Sequence, residues 1–133
     1  MLVKEVMLPF GKFPVIGRTV ILKEALEEMN KHSLGIVCVV DEEQTLLGIF
    51  TDGDIRRQLL SIQKPFSAFF IDDALDHSTK TPLTAQISDK VHDVIKTMGE
   101  RKIWDLPVLN ESRKLVGLLH LHPVVEALFN EKL

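Results

Sequence analysis

The sequence predicts an α/β chain of the α+β type, built from two tandem β-α-β-β-α repeats packed about a pseudo-twofold axis. Three observations predict it. The chain aligns with itself at an offset of 69 residues, without a gap, from about Thr19 to Leu60. In both halves the apolar residues pass from helical spacing to strand-like runs in the same order. One half alone would leave apolar faces uncovered, whereas two can bury them against each other.

Each element repeats. A short helical turn opens each half, at Val3 to Met7 and, at an offset of 68, at Ile71 to Leu75. Extended pieces follow at Phe13 to Ile16 and Pro82 to Thr84. Leu22, Ala25, Leu26 and Met29 then recur as Val91, Val94, Ile95 and Met98, the i, i+3, i+4, i+7 spacing of a helix with one buried face. Thr19 and Ser88 stand just before these helices as expected N-caps. Strands are expected at Ile36 to Val40 and Asp105 to Leu109, then, after a polar turn opened by Asp41 or Asn110, at Leu46 to Phe50 and Leu115 to Leu119. Closing helices are expected from Asp52 to Leu60 and from His122 to Phe129. The repeats divide at 1–62 and 63–133, the connecting segment being counted with the second. Its Phe66, Phe69 and Phe70 predict that this connection packs on the body.

Composition narrows the function classes. The chain has 133 residues, 45% apolar and 26% charged, an ordinary globular balance. A net charge of −3 offers no general attraction to nucleic acid, and no aromatic and basic stripe appears. The single cysteine, Cys38, excludes an internal disulfide and reads as a buried thiol within an apolar run. No run of apolar residues is long enough to span a bilayer, and the N-terminus lacks a cleavable signal pattern, so a cytoplasmic, membrane-free chain is expected.

The chemistry concentrates where the last strand of the first repeat meets its helix, at Thr51-Asp52-Gly53-Asp54. A helix N-terminus presents unpaired N–H groups and partial positive charge, which favours an anion. Thr51 offers a hydroxyl, Gly53 a close backbone approach and Asp54 a two-oxygen acceptor suited to a diol. Arg56 or Arg57 can pair with phosphate through a guanidinium fork, and a solvated helix face is the alternative for both. Thr51 and Asp54 can equally be plain caps, and Asp52 reads first as a cap. In the second repeat His120 takes the place of Thr51, and Pro123 that of Asp54. The carboxylate is absent there, so the two sites are expected to be unequal. His120 and His122, two apart near a strand end, are read as lining a ligand cleft, with a structural role as the alternative. Two histidines are too few for a closed metal site, and no metal is expected. Trp104 is read as a packing anchor, with base stacking as the alternative. His32, His77 and His92 are read as surface residues.

The element order, the tandem pairing and the segment GIFTDGDIRR (Gly48 to Arg57) resemble the cystathionine-β-synthase-type (CBS) domain family. The resemblance implies a CBS pair, or Bateman module: a regulatory domain without chemistry or an obligatory cofactor of its own. It implies that the residue matching Thr51 contacts a phosphate and the one matching Asp54 contacts ribose hydroxyls. TDGDIRR with LVGLLHLHP (Leu115 to Pro123) is similar to the C-terminal CBS pair of bacterial arabinose-5-phosphate isomerases, although Pro123 replaces an Asp usual there. TDGDIRR alone also resembles CBS pairs of some sugar nucleotidyltransferases. The implied ligand is an adenine nucleotide or a cytidine nucleotide sugar such as a CMP-sugar. The implied partners are a second copy of the chain in a homodimer and a sugar isomerase. The chain has no room for that catalytic domain, so a free-standing pair or a piece of a longer enzyme is expected. A purely structural dimerisation module is the competing reading.

Overall fold

The computed structural model describes residues 1–131. Its first half contains β1 (Val15–Gly17), α1 (Leu22–His32), β2 (Ile36–Val40), β3 (Leu46–Thr51), α2 (Asp52–Ser61) and a short α3 (Phe66–Phe70). Its second half contains β4 (Ala85–Gln86), α4 (Val91–Arg101), β5 (Asp105–Leu109), β6 (Leu115–His120) and α5 (Leu121–Glu131). A 3-10 turn precedes each set, at Val3–Glu5 and Ala74–His77. The strands form two three-stranded sheets, β1-β2-β3 and β4-β5-β6. In each sheet the middle strand pairs parallel with the first and antiparallel with the third. The parallel pair requires a crossover, which α1 and α4 supply.

The repeat is written into the backbone. Among the described residues, the non-glycine ones with positive φ are Ser33, Gln44, Lys102 and Arg113, which form two pairs 69 apart. Ser33 and Lys102 end α1 and α4 in the left-handed conformation, and in both cases the following residues bond back to the last helical carbonyls. Gln44 and Arg113 sit in the hairpin turns. There Asp41 Oδ1 accepts from the Glu43 and Thr45 N–H groups, and Asn110 Oδ1 accepts from those of Ser112 and Lys114. These side-chain acceptors are why the turns need Asp or Asn.

The two compact units do not follow the sequence division at 1–62 and 63–133. One is Gly11–Pro82, and the other joins Met1–Phe10 to the chain from Leu83 onward. The leading turn of each repeat has been exchanged. Val3 is buried in a core with Val91, Val94, Met98, Leu106 and Leu119, and Ala74 in a core with Leu22, Ala25, Met29, Val37 and Phe50. Leu8 bridges Leu118, and Thr79 bridges Ile49. The correspondence of the leading segments is therefore Val3 with Ala74 and Leu8 with Thr79, an offset of 71 and not the 68 of the sequence match.

That exchange also replaces the expected caps. Neither Thr19 nor Ser88 caps a helix; the cap positions are Ile21 and Lys90, without a side-chain bond. Instead the Leu22 N–H donates to the Asp72 carbonyl and the Val91 N–H to that of Met1. Backbone from the leading segment does the work a serine or threonine would do. The glycines of the two third strands have the same origin. A Cβ at Gly48 would stand 2.9 Å from the Thr79 carbonyl oxygen, and one at Gly117 would stand 3.0 Å from that of Leu8.

Candidate functional site

The site is built where β3 runs into α2. Thr51 is the N-cap of α2 in extended conformation, and Asp54 is the third residue of the helix. They form a reciprocal capping box. Thr51 Oγ1 accepts from the Asp54 N–H at 3.2 Å, and Asp54 Oδ2 accepts from the Thr51 N–H at 2.9 Å and its hydroxyl at 3.0 Å. The cap is thus Thr51, and Asp52 is exposed with its carboxylate against Gly35, where a side chain would collide with it. The Asp52 N–H donates to the Gly35 carbonyl. The N–H groups that sequence reading left open to a ligand are therefore engaged within the protein at Thr51, Asp52 and Asp54.

Asp54 is buried, 8% exposed. A buried carboxylate is tolerated only when its lone pairs are met. Oδ2 is met by Thr51. Oδ1 accepts from Arg57 Nη2 at 2.8 Å and from Thr79 Oγ1 at 3.4 Å. Arg57 lies one turn along α2, its guanidinium folded over Gly53. Thr79 comes from the segment after the second 3-10 turn, 25 residues away in sequence. Sequence reasoning missed it, and no spacing rule could have named it. Arg56 is exposed on the helix surface. Of the residues expected at this site, the structure brings together Thr51, Gly53, Asp54 and Arg57, and it leaves Asp52 and Arg56 at the rim.

The corresponding turn of the second repeat is a different object. His120 ends β6 and faces Asp105 in register across the sheet, as Thr51 faces Ile36 in the first. His120 Nδ1 lies 2.6 Å from Asp105 Oδ1. Because β6 stops at His120, His122 does not share a strand face with it. His122 is exposed in the first turn of α5, 4.0 Å from Glu126. Pro123 is the third residue of α5, where its missing N–H is one the helix would not have paired. Among the described residues no three His, Cys, Asp or Glu side chains gather as a metal site would require. Trp104 is 68% exposed, so it does not anchor the core. Its carbonyl accepts from the Leu121 N–H, as that of Gly35 does from Asp52.

A second polar cluster lies behind α2. Contrary to the expectation of a surface residue, His77 is mostly buried, edge-on to Phe69 at 4.8 Å between ring centres. Its Nε2 is 2.8 Å from Asp72 Oδ2 and its Nδ1 is 3.2 Å from Gln58 Oε1. Asp72 also accepts from Lys64, and the bonds from Lys64 first and His77 second hold its carboxyl below the ordinary range. This cluster ties α2, α3 and the second leading turn together. His32 bonds the Glu28 carbonyl within α1, and His92 is exposed. A cavity of about 280 Å3 beside α4, lined by Thr84, Asp89, Lys90, Asp93 and Thr97 among others, contains none of the expected site residues.

The CBS domain family model matches residues 3–61 and 73–129. The chain belongs to the CBS domain family. Among curated relatives, the arabinose 5-phosphate isomerase GutQ of Escherichia coli (strain K12) is 31% identical over 117 residues, covering 86% of this chain and 34% of the isomerase. GutQ of Salmonella typhi is 32% identical over 107 residues, covering 78% and 31%. The chain thus spans about a third of the length of the curated relatives it matches. Among solved CBS structures, CBSX2 in complex with AMP is 27% identical with a TM-score of 0.86, covering 99% of this chain and 98% of that one. The CBS domain pair of MJ0100, in complex with 5′-methylthioadenosine and S-adenosyl-L-methionine, is 25% identical with a TM-score of 0.76, covering 100% and 98%. No helix among the described residues is long and apolar enough to cross a membrane.

Proposed function

We propose that this CBS pair is a non-catalytic sensor module that binds an adenine nucleoside or nucleotide at the Thr51–Asp54 turn of its first repeat. Asp54 carries the reading. It is a buried carboxylate whose orientation is set by two bonds from Thr51, leaving Oδ1 held only by side chains that can swing aside. A ribose 2′,3′-diol is a pair of O–H donors matched to such an acceptor. AMP, 5′-methylthioadenosine and S-adenosylmethionine, the ligands of the two solved relatives, all carry that diol on an adenosine. The second repeat offers His120 and Pro123 in place of this acceptor, which makes the first repeat the principal ligand-bearing one.

A cytidine nucleotide sugar carries the same diol, and the similarity to arabinose 5-phosphate isomerases supports it as the second ligand class. A sugar-phosphate isomerase domain, on the same chain or a separate one, is the proposed regulated partner, and a cytoplasmic location fits both ligands. Regulation would follow from unequal affinity of the ligand for two states of the assembly. Self-association is proposed as well. Leu60 and Phe129 occupy equivalent positions of α2 and α5 and are 82% and 69% exposed, and each is an apolar side chain that a second copy would cover. Sedimentation equilibrium should give a dimer, and Leu60→Glu with Phe129→Glu a monomer; a monomeric parent chain would remove this part of the proposal.

The ligand reading is tested by thermal unfolding against adenosine, AMP, ADP, ATP, S-adenosylmethionine, CMP and a CMP-sugar. A ligand at 100 times its Kd adds about 2.7 kcal/mol, on the order of several degrees in Tm for a chain of this size. The shift should be lost in Asp54→Asn. No shift at millimolar concentration with any of them would leave the purely structural module as the better account.

A further inference from the structure

Asp54 has no lone pair left for a ligand. Four protein donors occupy its four acceptor positions: the Thr51 N–H and hydroxyl on Oδ2, and Arg57 Nη2 and Thr79 Oγ1 on Oδ1. The Thr51 N–H on Oδ2 belongs to the capping box and cannot leave without opening the start of α2, and the Thr51 hydroxyl is kept beside Oδ2 because its oxygen accepts from the Asp54 N–H. The two on Oδ1 can leave. Thr79 is exposed and its bond is long, and the Arg57 side chain is 60% exposed. Arg57 is the stronger of these two donors, through a charged bond of 2.8 Å. Its folded-back position depends on Gly53, since a Cβ there would stand 3.1 Å from Nη1 and 3.2 Å from Nη2.

We propose that Arg57 is an internal competitor for the ligand: its guanidinium holds the place on Asp54 Oδ1 that a ribose diol must take, and it is displaced when the ligand binds. This deepens the proposed function and rests on it. A donor that must be removed before binding lowers the apparent affinity by the fraction of time it is in place. A displaced guanidinium beside a bound nucleotide is also available to its phosphate, so a nucleotide regains a contact that a bare nucleoside does not. Arg57 would in this way set the preference for phosphorylated over unphosphorylated ligands.

The experiment is calorimetric titration of the intact chain, as wild type, Arg57→Ala and Gly53→Ala, with adenosine and with AMP. Arg57→Ala should bind adenosine roughly threefold to tenfold more tightly, the scale of losing one partly exposed charged hydrogen bond. Gly53→Ala keeps the charge but crowds its resting place, and should move adenosine affinity in the same direction. In Arg57→Ala the ratio of AMP to adenosine affinity should fall. Adenosine affinity that is unchanged or lower in Arg57→Ala, with the wild type binding, overturns the competitor role and leaves the ligand site standing. If none of the three proteins binds either probe while all remain folded, the ligand reading of Asp54 itself fails, and this inference with it.

Discussion

Asp72 shows how a single residue can report on the local structure. Lys64 and His77 both donate to its carboxylate, and together they hold its pKa below the ordinary 3.8. A carboxyl with a depressed folded pKa adds stability that is fully present above the unfolded value and is lost as pH falls through the folded one. The contribution should therefore persist from neutral pH to about 4 and disappear only below 3.8. Urea midpoints measured from pH 6 to pH 2 should fall more steeply at the acid end for the parent than for Asp72→Asn, and parallel curves would remove Asp72 from the account. The residue scale is also where reading the sequence met its limits. Thr51 and Asp54 were legible because a threonine three residues before an acid, at the end of an apolar run, is a local pattern. The mostly buried His77 was not, because Asp72, Gln58 and Phe69 reach it from three separate segments.

At the scale of elements, the third strands explain two glycines that family resemblance alone assigns to a motif. Gly48 and Gly117 are buried where a leading segment crosses the strand, and each leaves room for a backbone carbonyl. At Gly117 the nearest atom to a new Cβ is the end of the flexible Met7 side chain, with the Leu8 carbonyl next at 3.0 Å. At Gly48 the first obstacle is the Thr79 carbonyl at 2.9 Å. Both substitutions to alanine should destabilise by about 1–3 kcal/mol through overpacking. Gly48→Ala should be the costlier of the two, because a side chain can move aside more cheaply than paired backbone. Chemical denaturation of both variants checks the order, and the reverse order would contradict the geometry. The helices and strands themselves lay within a few residues of their expected limits, since amphipathic spacing is a property of consecutive residues. Their caps did not, because the partners of Leu22 and Val91 come from the far side of the sequence.

Across the whole molecule, the exchanged leading segments make each compact unit depend on residues from the other repeat. Removal of Met1–Phe10 takes away the fully buried Val3 and both backbone bonds between Leu8 and Leu118. The buried valine alone is worth about 1.5–3 kcal/mol. Hydrogen exchange on the chain lacking residues 1–10 should show lost protection in α4 and β6, with β2 and β3 of the Gly11–Pro82 unit retaining theirs. Equal loss in both would show that the segment serves the whole chain and not one unit.

The repeat, the order of its elements, the inequality of the two turns at Asp54 and Pro123, and the CBS family membership are all legible along the chain. All of these are encoded in neighbouring residues or in direct comparison of one half with the other. Packing alone gives the exchange of the leading turns, the bond of Thr79 to Asp54 and the pairing of Asp105 with His120. One cause accounts for all three. A capping box or an amphipathic face is specified by short spacing along the chain. A hydrogen bond between residues 15 or 25 apart is specified by packing, which the order of residues encodes only through the fold it produces.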